Sequence, residues 1–372
     1  MKGDNQCSMR KARYLHIIWH PDLKFIPYMV AMFNEYTEFF SKEEHVFVTP
    51  HKRVYDAISP KYEIYLEGNA EENLINRFGE YADWIFVHAM NCKRSVLVFT
   101  KKKYAKKVIW RTWGHDMRPL AIEHGSLIKK ILTRGLFFCY KKKVRQFKAI
   151  GVANDIDSVN VNKTFGELNT VVLNYIELNN GALREIEKEK KSKCDPVKIL
   201  IGHSGSPFDC HIEAMNKLMA YRNENIRICL ILSYGGPTEY ISQVRAYAET
   251  QFPGKCEIID SFMSKQDYIQ YISTIDIALF PQLHSTALGN LVWLLHFHIP
   301  LFVAEEGQFA ESFRRNNCSY CSYDSIGKVD FNEIMEMKNS DELELIYGKI
   351  KSADQICEGW KRVLDDLKDG RL

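Results

Sequence analysis

The chain has 372 residues, a formal net charge of +3, 46% hydrophobic residues and 26% charged residues. That length exceeds what one hydrophobic core usually serves, and the composition is that of a globular protein, so two domains are expected and a fibrous or disordered chain is excluded. No apolar run approaches the roughly 18 to 20 residues of a membrane span, and Tyr14 to Trp19 is too short for a signal-peptide core, so a cytoplasmic protein is expected.

Tyr14 to Trp19 reads as a first strand, and Lys24 to Phe40 as an amphipathic helix entered through Pro21 and Pro27. His45 to Thr49 and Glu63 to Glu67 read as short strands, Ala70 to Tyr81 as a polar helix, and Trp84 to His88 as a strand. Lys107 to Trp113 is another strand, running into Gly114-His115-Asp116-Met117. Ser126 to Phe147 interleaves Leu127, Ile128, Ile131, Leu132, Leu136, Phe137, Phe138 and Tyr140 with Lys129, Lys130, Arg134 and Lys141 to Lys143. It is a basic amphipathic helix suited to an anionic membrane surface. Further basic residues crowd Lys101 to Lys107, but no nucleic-acid-binding module surrounds them, so no nucleic-acid partner is expected. Ala149 to Ala153 and Thr170 to Leu173 close this first α/β domain, residues 1–182.

Leu183 to Asp195 is a charged stretch ending at Pro196, and it marks a linker over residues 183–196. The α/β rhythm then restarts and makes a second domain of residues 197–372. Its order is strand Lys198 to Ile201, turn Gly202 to Ser206, helix His211 to Tyr221, strand Ile226 to Leu232, turn Ser233 to Gly236, helix Glu239 to Gln251, strand Glu257 to Ile259 and helix Lys265 to Ser273. Next comes a strand, helix and strand unit over Ile275 to Val303, with the turn His284-Ser285-Thr286-Ala287-Leu288-Gly289-Asn290 between its first strand and its helix. Ser285 and Thr286 are natural N-caps, and free N–H groups at a helix start suit a phosphate.

Three turns rich in Gly, Ser and Thr thus fall at strand carboxyl ends, where open α/β sheets hold ligands. No G-x-x-x-x-G-K-[ST] occurs and no G-x-G-x-x-G follows the first strand, which argues against a P-loop NTPase and a dehydrogenase. The pattern points to a sugar-nucleotide transferase of GT-B architecture: two Rossmann-like parallel-sheet domains facing a cleft, the first holding the acceptor and the second the donor. A non-catalytic two-lobed sugar- or nucleotide-binding protein and a GT-B-type NDP-sugar epimerase remain open alternatives.

The ten cysteines show no framework spacing. Cys318 and Cys321 make a lone C-x-x-C without a second pair, read as structural rather than metal-binding. The only Asp-x-Asp, Asp155-Ile-Asp157, reads as a loop or cap pair. No metal site is expected, and the departing diphosphate would be stabilised by backbone N–H groups and a helix dipole. Gly202, Ser204, Gly205 and the Ser285 to Asn290 turn, with Thr286, Gly289 and Asn290, are the expected diphosphate seat. His284 adds charge, and Tyr234, Gly235 and Gly236 sit near the nucleoside. Asp116 is the first candidate for a catalytic or acceptor-orienting residue, with His88 and His115 as alternatives.

Several blocks resemble the bacterial TDP-Fuc4NAc:lipid II Fuc4NAc transferases of enterobacterial common antigen synthesis. Ile109-Trp-Arg-Thr-Trp-Gly-His-Asp-Met117 is similar to that family's W-x-x-W-G-x-D-L. Ile199 to Ser206 followed by His211 to Met215 is similar to its I-L-V-G-N-S-G-D turn and H-I-x-A-L helix start. Leu288-Gly-Asn-Leu and His298-Ile-Pro-Leu301 resemble its I-G-T-L and G-I-P-C. Phe86-Val-His88 with Asn91, and Trp360, match further family positions. The chain departs from the family at Trp19-His20-Pro21, at His284, where the family has arginine, and at Ala287, where it has glycine. The resemblance implies a TDP-sugar donor of the Fuc4NAc kind and a polyprenyl-diphosphate-linked saccharide acceptor. It also implies a protein peripheral to the inner face of the bacterial cell membrane.

Overall fold

The computed structural model describes residues 10–23, 25–90, 93–113, 115–117, 127–176, 185–189, 192, 194–284 and 287–372. The chain divides into two compact units. The first is Met1–Leu178 with Lys351–Leu372, and the second is Asn179–Ile350.

The first unit is built on seven parallel strands: β1 (Ala12–Ile18), β2 (His45–Thr49), β3 (Tyr65–Leu66), β4 (Ala82–His88), β5 (Val108–Arg111), β6 (Ala149–Val152) and β7 (Thr170–Val172). Their order is β3-β2-β1-β4-β5-β6-β7. Such a sheet is covered on both faces, which is why its strands are apolar almost throughout. In β1, Leu15 and Ile17 enter one core while Tyr14 and Ile18 enter the other. The two cores arise from the period of two along a strand.

The second unit has six parallel strands: β8 (Val197–Ile201), β9 (Ile226–Ile231), β10 (Cys256–Ile259), β11 (Ile277–Phe280), β12 (Leu301–Val303) and β13 (Cys321–Ser322). Their order is β10-β9-β8-β11-β12-β13. In each sheet the chain first winds to one side of its initial strand and then crosses to the other. The reversal lies between β1 and β4 in the first unit and between β8 and β11 in the second, and ligands of open α/β sheets settle outside the carboxyl ends at such a point.

The expected strands and most helices are present, with bounds that differ by a few residues. The amphipathic helix expected from Lys24 spans Ile26–Glu35, and the polar helix of residues 70–81 contracts to Leu74–Phe78, capped by the Asn73 side chain. The basic helix runs Leu127–Val144. Cys321 lies in β13 and, like Cys318, is buried, and burial pushes its thiol up to about 12, so it is an inert core residue. Asp155 and Asp157 occupy the first turn of the helix Asp155–Phe165, where acidic residues complement the helix dipole.

The end of the chain corrects one expectation. Residues 197–372 do not form one domain, because Lys351–Leu372 belongs to the first unit. The helix Ala353–Lys368 opens with a capping box between Ser352 and Gln355 and carries Ile356, Cys357, Trp360, Val363, Leu364 and Leu367 on one buried stripe. Trp360 is fully buried, stands edge-on to Phe33 at 5.1 Å and tilts against Phe86 at 5.4 Å, and its indole N–H donates to the Asn174 carbonyl at 2.6 Å. The charged stretch read as a linker lies partly outside the described residues.

Trp360→Ala is expected to destabilise the first unit by about 3 to 5 kcal/mol, the usual cost of emptying a buried tryptophan site. Urea denaturation followed by proteolysis of each unit checks this. A shift below about 1 kcal/mol would show that the last helix is not part of that core.

Candidate functional site

In the second unit, the loop after β8 is fixed from within by Asp209, a residue that the sequence pattern did not single out. Its carboxylate is fully buried. One oxygen accepts from the Ser204 N–H (2.9 Å), the Ser204 hydroxyl (2.8 Å) and the His203 N–H (3.3 Å), and the other lies 3.0 Å from His203 Nδ1. Burial alone would raise the Asp209 pKa. The His203 hydrogen bond and charge, with Ser204, outweigh it and hold the carboxyl below its ordinary value.

The glycines of this loop serve close packing. Gly202 has φ +62°, and a Cβ there would lie 2.6 Å from Cβ of Asp209. Gly205 donates its N–H to the Tyr234 carbonyl at 2.7 Å, and a Cβ on Gly236 would lie 1.8 Å from the Gly205 oxygen, so the loops after β8 and β9 interlock.

This geometry corrects the expected diphosphate seat. The Gly202 N–H donates to Leu279, those of His203 and Ser204 to Asp209, and that of Gly205 to Tyr234. These amides are engaged within the protein, so Gly202, Ser204 and Gly205 shape the edge rather than hold an anion. The third turn differs. The helix Leu288–His296 begins at Ala287, which sits in the left-handed region at φ +68°, and among the described residues no side chain caps it. The first-turn amides, among them those of Gly289 and Asn290, have no partner inside the helix. Ser285 and Thr286, the expected caps, lie outside the described residues. Asn290 turns its side chain away and donates to Tyr268 Oη at 2.7 Å. His284 is exposed and stands edge-on to Phe208 at 5.8 Å, which joins the loops after β8 and β11 at the reversal point.

Two further features lie on this edge. Gln282, just beyond β11, is 1% exposed, and neither of its carboxamide atoms has a partner among the described residues. An unpaired buried amide costs on the order of 1 to 3 kcal/mol, so its presence calls for a ligand or water. In addition, Phe208, Tyr234, Phe262 and Leu283 are large, at least half-exposed or nearly so, and each follows a different adjacent strand, with Phe262 at 86% exposure. Together they form an apolar rim around the carboxyl edge. Exposed aromatic side chains in loops carry no local periodicity, which is why only Tyr234 was legible in the sequence.

In the first unit, Asp116 is buried and accepts three N–H groups: from Met90 (3.0 Å) and the Trp110 indole (3.0 Å) on one oxygen and from Trp113 (2.8 Å) on the other. It ties the ends of β4 and β5 together and is not open to take a proton from a substrate. His88 is fully enclosed, with Nδ1 2.9 Å from Tyr175 Oη and Nε2 2.9 Å from His16 Nδ1. His16 Nε2 in turn meets His45 Nδ1 at 2.9 Å. His115 belongs to the short turn His115–Met117, and its side chain lies outside the described residues. His16, His45 and Tyr175 were not singled out by the sequence. The one available signal was a single histidine in each of the otherwise largely apolar strands β1, β2 and β4.

Burial holds all three imidazoles neutral. It lowers His16 well below its ordinary value, helped by His45 and His88. His45 falls to about 3 through burial and the nearby Lys368 and Arg10, and His88 to about 3 through burial and Arg111. Burial likewise pushes Tyr175 up to about 12. Among the described residues, no group of three or more His, Cys, Asp or Glu is placed to hold a metal ion.

A model of the family described as 4-alpha-L-fucosyltransferase glycosyl transferase group 56 matches residues 66–364. Among solved structures, a glycosyltransferase from Rickettsia africae is similar at TM-score 0.62 and 9% identity over 96% of this chain and 99% of that one. The HepE protein of Anabaena, solved in complex with UDP, is similar at TM-score 0.62 and 10% identity over 95% and 100%. The lipopolysaccharide outer core galactosyltransferase WaaB in its apo form is similar at TM-score 0.52 and 9% identity over 96% and 100%. With two parallel-sheet domains, these likenesses place the fold in the GT-B class.

Each buried imidazole makes stability depend on pH. An unfolded histidine takes its proton near pH 6.5, whereas His45 and His88 in the folded protein take theirs near 3. Between these values the unfolded chain binds more protons. Stability is therefore fully present above about pH 6.5 and is lost as pH falls, by up to about 1.4 kcal/mol per pH unit and per ring. Urea midpoints of the first unit at pH 7.5, 6 and 5 check this, and His45→Phe is expected to flatten the slope.

Proposed function

This chain belongs to the 4-alpha-L-fucosyltransferase family, glycosyl transferase group 56, and from that premise we propose that it moves a deoxyamino sugar of the Fuc4NAc kind from a TDP-sugar to a polyprenyl-diphosphate-linked saccharide. The product serves a surface polysaccharide such as common antigen, O-antigen or capsule. That the protein is a glycosyltransferase follows from the family. The finer reading is supported by one observation above all: a helix start and a buried Gln282 amide that have no side-chain partner among the described residues share the carboxyl edge of the second sheet with an apolar rim.

Each part of the donor has a counterpart there. The helix Leu288–His296 offers first-turn amides and a positive dipole end to the diphosphate as charge develops on it, without a metal. Gln282 offers one donor and one acceptor to a sugar or base edge. The rim suits the face of a nucleobase and the methyl group of a 6-deoxy sugar, both apolar. UDP bound to HepE extends this reading to nucleoside diphosphates generally, and the TDP preference rests on the sequence blocks around residues 109–117, 199–215 and 288–301.

In EDTA, a TDP-sugar with a lipid-linked acceptor is expected to release TDP, and neither substrate alone does so. TDP should raise the melting temperature more than UDP or GDP. Gln282→Met should stabilise the free protein, because it removes an unpaired buried amide, yet abolish most of the TDP-induced shift. Loss of stability with TDP binding intact would remove Gln282 from the donor site.

The acceptor side of the reading includes the membrane. No described helix is long and apolar enough to cross one. On the first unit, Phe99 (77% exposed), Ile131, Leu132 and Phe138 are open to solvent beside Lys141 and Lys142. Such a face lies in a lipid interface with its lysines on anionic headgroups. Lys143 takes no part, because its ammonium donates to the Thr100 carbonyl at 2.6 Å. Leu132→Ser with Phe138→Ser, or Lys141→Glu with Lys142→Glu, is expected to release the protein from phosphatidylglycerol vesicles. Turnover of a short-chain soluble acceptor should stay unchanged. Undiminished co-sedimentation would sink the attachment.

A further inference from the structure

The buried Asp209 carboxylate carries a charge that no lysine or arginine among the described residues offsets. Its ion-pair partner is His203, whose Nδ1 stands 3.0 Å from Oδ1, and neither of these two atoms has another partner among the described residues. A carboxylate only accepts, so the ring carries a hydrogen on Nδ1, and its second nitrogen points away from the pair. That nitrogen, Nε2, has no partner among the described residues and is not enclosed, and 13% of the His203 side chain is exposed. It therefore opens at the carboxyl end of β8, on one side of the reversal point. On the other side, β11 leads towards the start of the helix Leu288–His296, which no side chain among the described residues caps. The two loops are tied together: the Gly202 N–H donates to the Leu279 carbonyl at 3.0 Å, and Phe208 stands edge-on to His284 at 5.8 Å. We propose that His203, seated on Asp209, is a proton-dependent clamp for the diphosphate of the donor. The proposal rests on the transferase reading above and lies wholly within the second unit.

The pairing with Asp209 dictates the chemistry of the outer nitrogen. With the Nδ1 hydrogen committed to the carboxylate, a neutral ring presents a lone pair at Nε2, which repels a phosphate oxygen. Only the imidazolium presents an N–H there, so a diphosphate is bound together with one proton taken from water. In the bound state Nε2–H donates to a diphosphate oxygen in a charge-assisted hydrogen bond, and the Asp209 carboxylate balances the ring. During transfer the bond from the anomeric carbon to the diphosphate breaks with its electron pair leaving on the diphosphate. The same N–H meets that added charge, and the ring keeps its proton until the nucleotide departs.

The other groups around the pair keep one charge state near neutral pH. In the helix that follows the loop, burial lowers His211 to about 4 against the opposing charge of Asp209, and its Nδ1 lies 3.2 Å from Tyr240 Oη. Burial pushes Tyr234, whose ring stands edge-on to His203 at 6.4 Å, up to about 12. It also raises Tyr240, Tyr268 and the Cys210 thiol above their ordinary values, while Asp209 stays ionised. Proton uptake in this cluster thus falls to His203. His284, after β11, is a second histidine on the same edge, and its own variant separates the two.

TDP-glucose is a suitable probe, because its diphosphate has no acid group that titrates near neutral pH. Calorimetric titration of the full chain at about pH 7.5, in HEPES and in Tris, whose ionisation enthalpies differ, reads the protons taken up per nucleotide bound. The wild-type protein is expected to take up a measurable fraction of one proton, and by linkage its affinity falls as pH rises. His203→Asn keeps a neutral donor and removes the charge; it should take up no proton and bind on the order of 10-fold more weakly. His284→Asn should retain the uptake, whatever its effect on affinity. Absence of uptake in the wild type, or uptake undiminished in His203→Asn, overturns the clamp. If His203→Asn does not fold, His203→Gln replaces it with the same expectations. Independently of any ligand, ¹⁵N spectra should show the neutral His203 ring with its hydrogen on Nδ1, and an Nε2–H ring overturns the pairing on which the clamp depends. A protein that binds none of TDP-glucose, UDP-glucose and GDP-mannose refutes the donor reading and the clamp with it, whereas binding without proton uptake refutes the clamp alone.

Discussion

Burial of both faces of a parallel sheet leaves a polar side chain inside it one recourse, a partner that is also inside. The first unit meets this constraint by grouping its polar residues. His16, His45 and His88 bond to one another and to Tyr175, and Asp116 gathers three N–H groups from the ends of neighbouring strands. The aromatic rings of Phe33, Phe47, Phe86 and Trp360 close around the histidines and keep water from them. Enclosed in this way, the histidines form a low-dielectric line whose members stay neutral and which ends at the edge where ligands of this fold settle.

The second unit answers the same constraint differently. Its carboxyl-edge loops are rigid because Asp209 holds the loop after β8 and because glycines let that loop and its neighbour touch backbone to backbone. Beside these ordered loops lie the start of the helix Leu288–His296, which no side chain among the described residues caps, the Gln282 amide and the exposed apolar rim. An edge that is pre-ordered in this way loses less entropy when a donor binds.

The relation between pattern and site is uneven, and particular residues show why. Gly202, Gly205 and Gly236 were legible as special because glycine at a strand end signals an unusual backbone. Their purpose was not, since a phosphate cradle and a tight interlock demand the same residue. Asp116 was singled out for facing the edge, yet its three N–H partners come from segments whose approach depends on strand order. Asp209 and Gln282 passed unnoticed because nothing in their neighbours separates them from ordinary loop residues. The continuous apolar runs of Ile199 to Ile201 and Ile277 to Phe280, by contrast, announced buried strands directly.

By itself the sequence determined the α/β alternation, two parallel-sheet units, the carboxyl-edge position of the turns and the basic amphipathic helix. Each of these is a matter of local periodicity and turn chemistry, readable within a dozen residues. The tertiary structure alone decided that the last helix returns to the first core, and that His16 meets partners 29 and 72 residues away. It also decided that the amides of the loop after β8 are engaged by Asp209 and its neighbours while those opening the helix Leu288–His296 have no intrahelical partner. The physical reason is that strand order and register bring distant side chains to one face, and no local pattern records which strands will be neighbours.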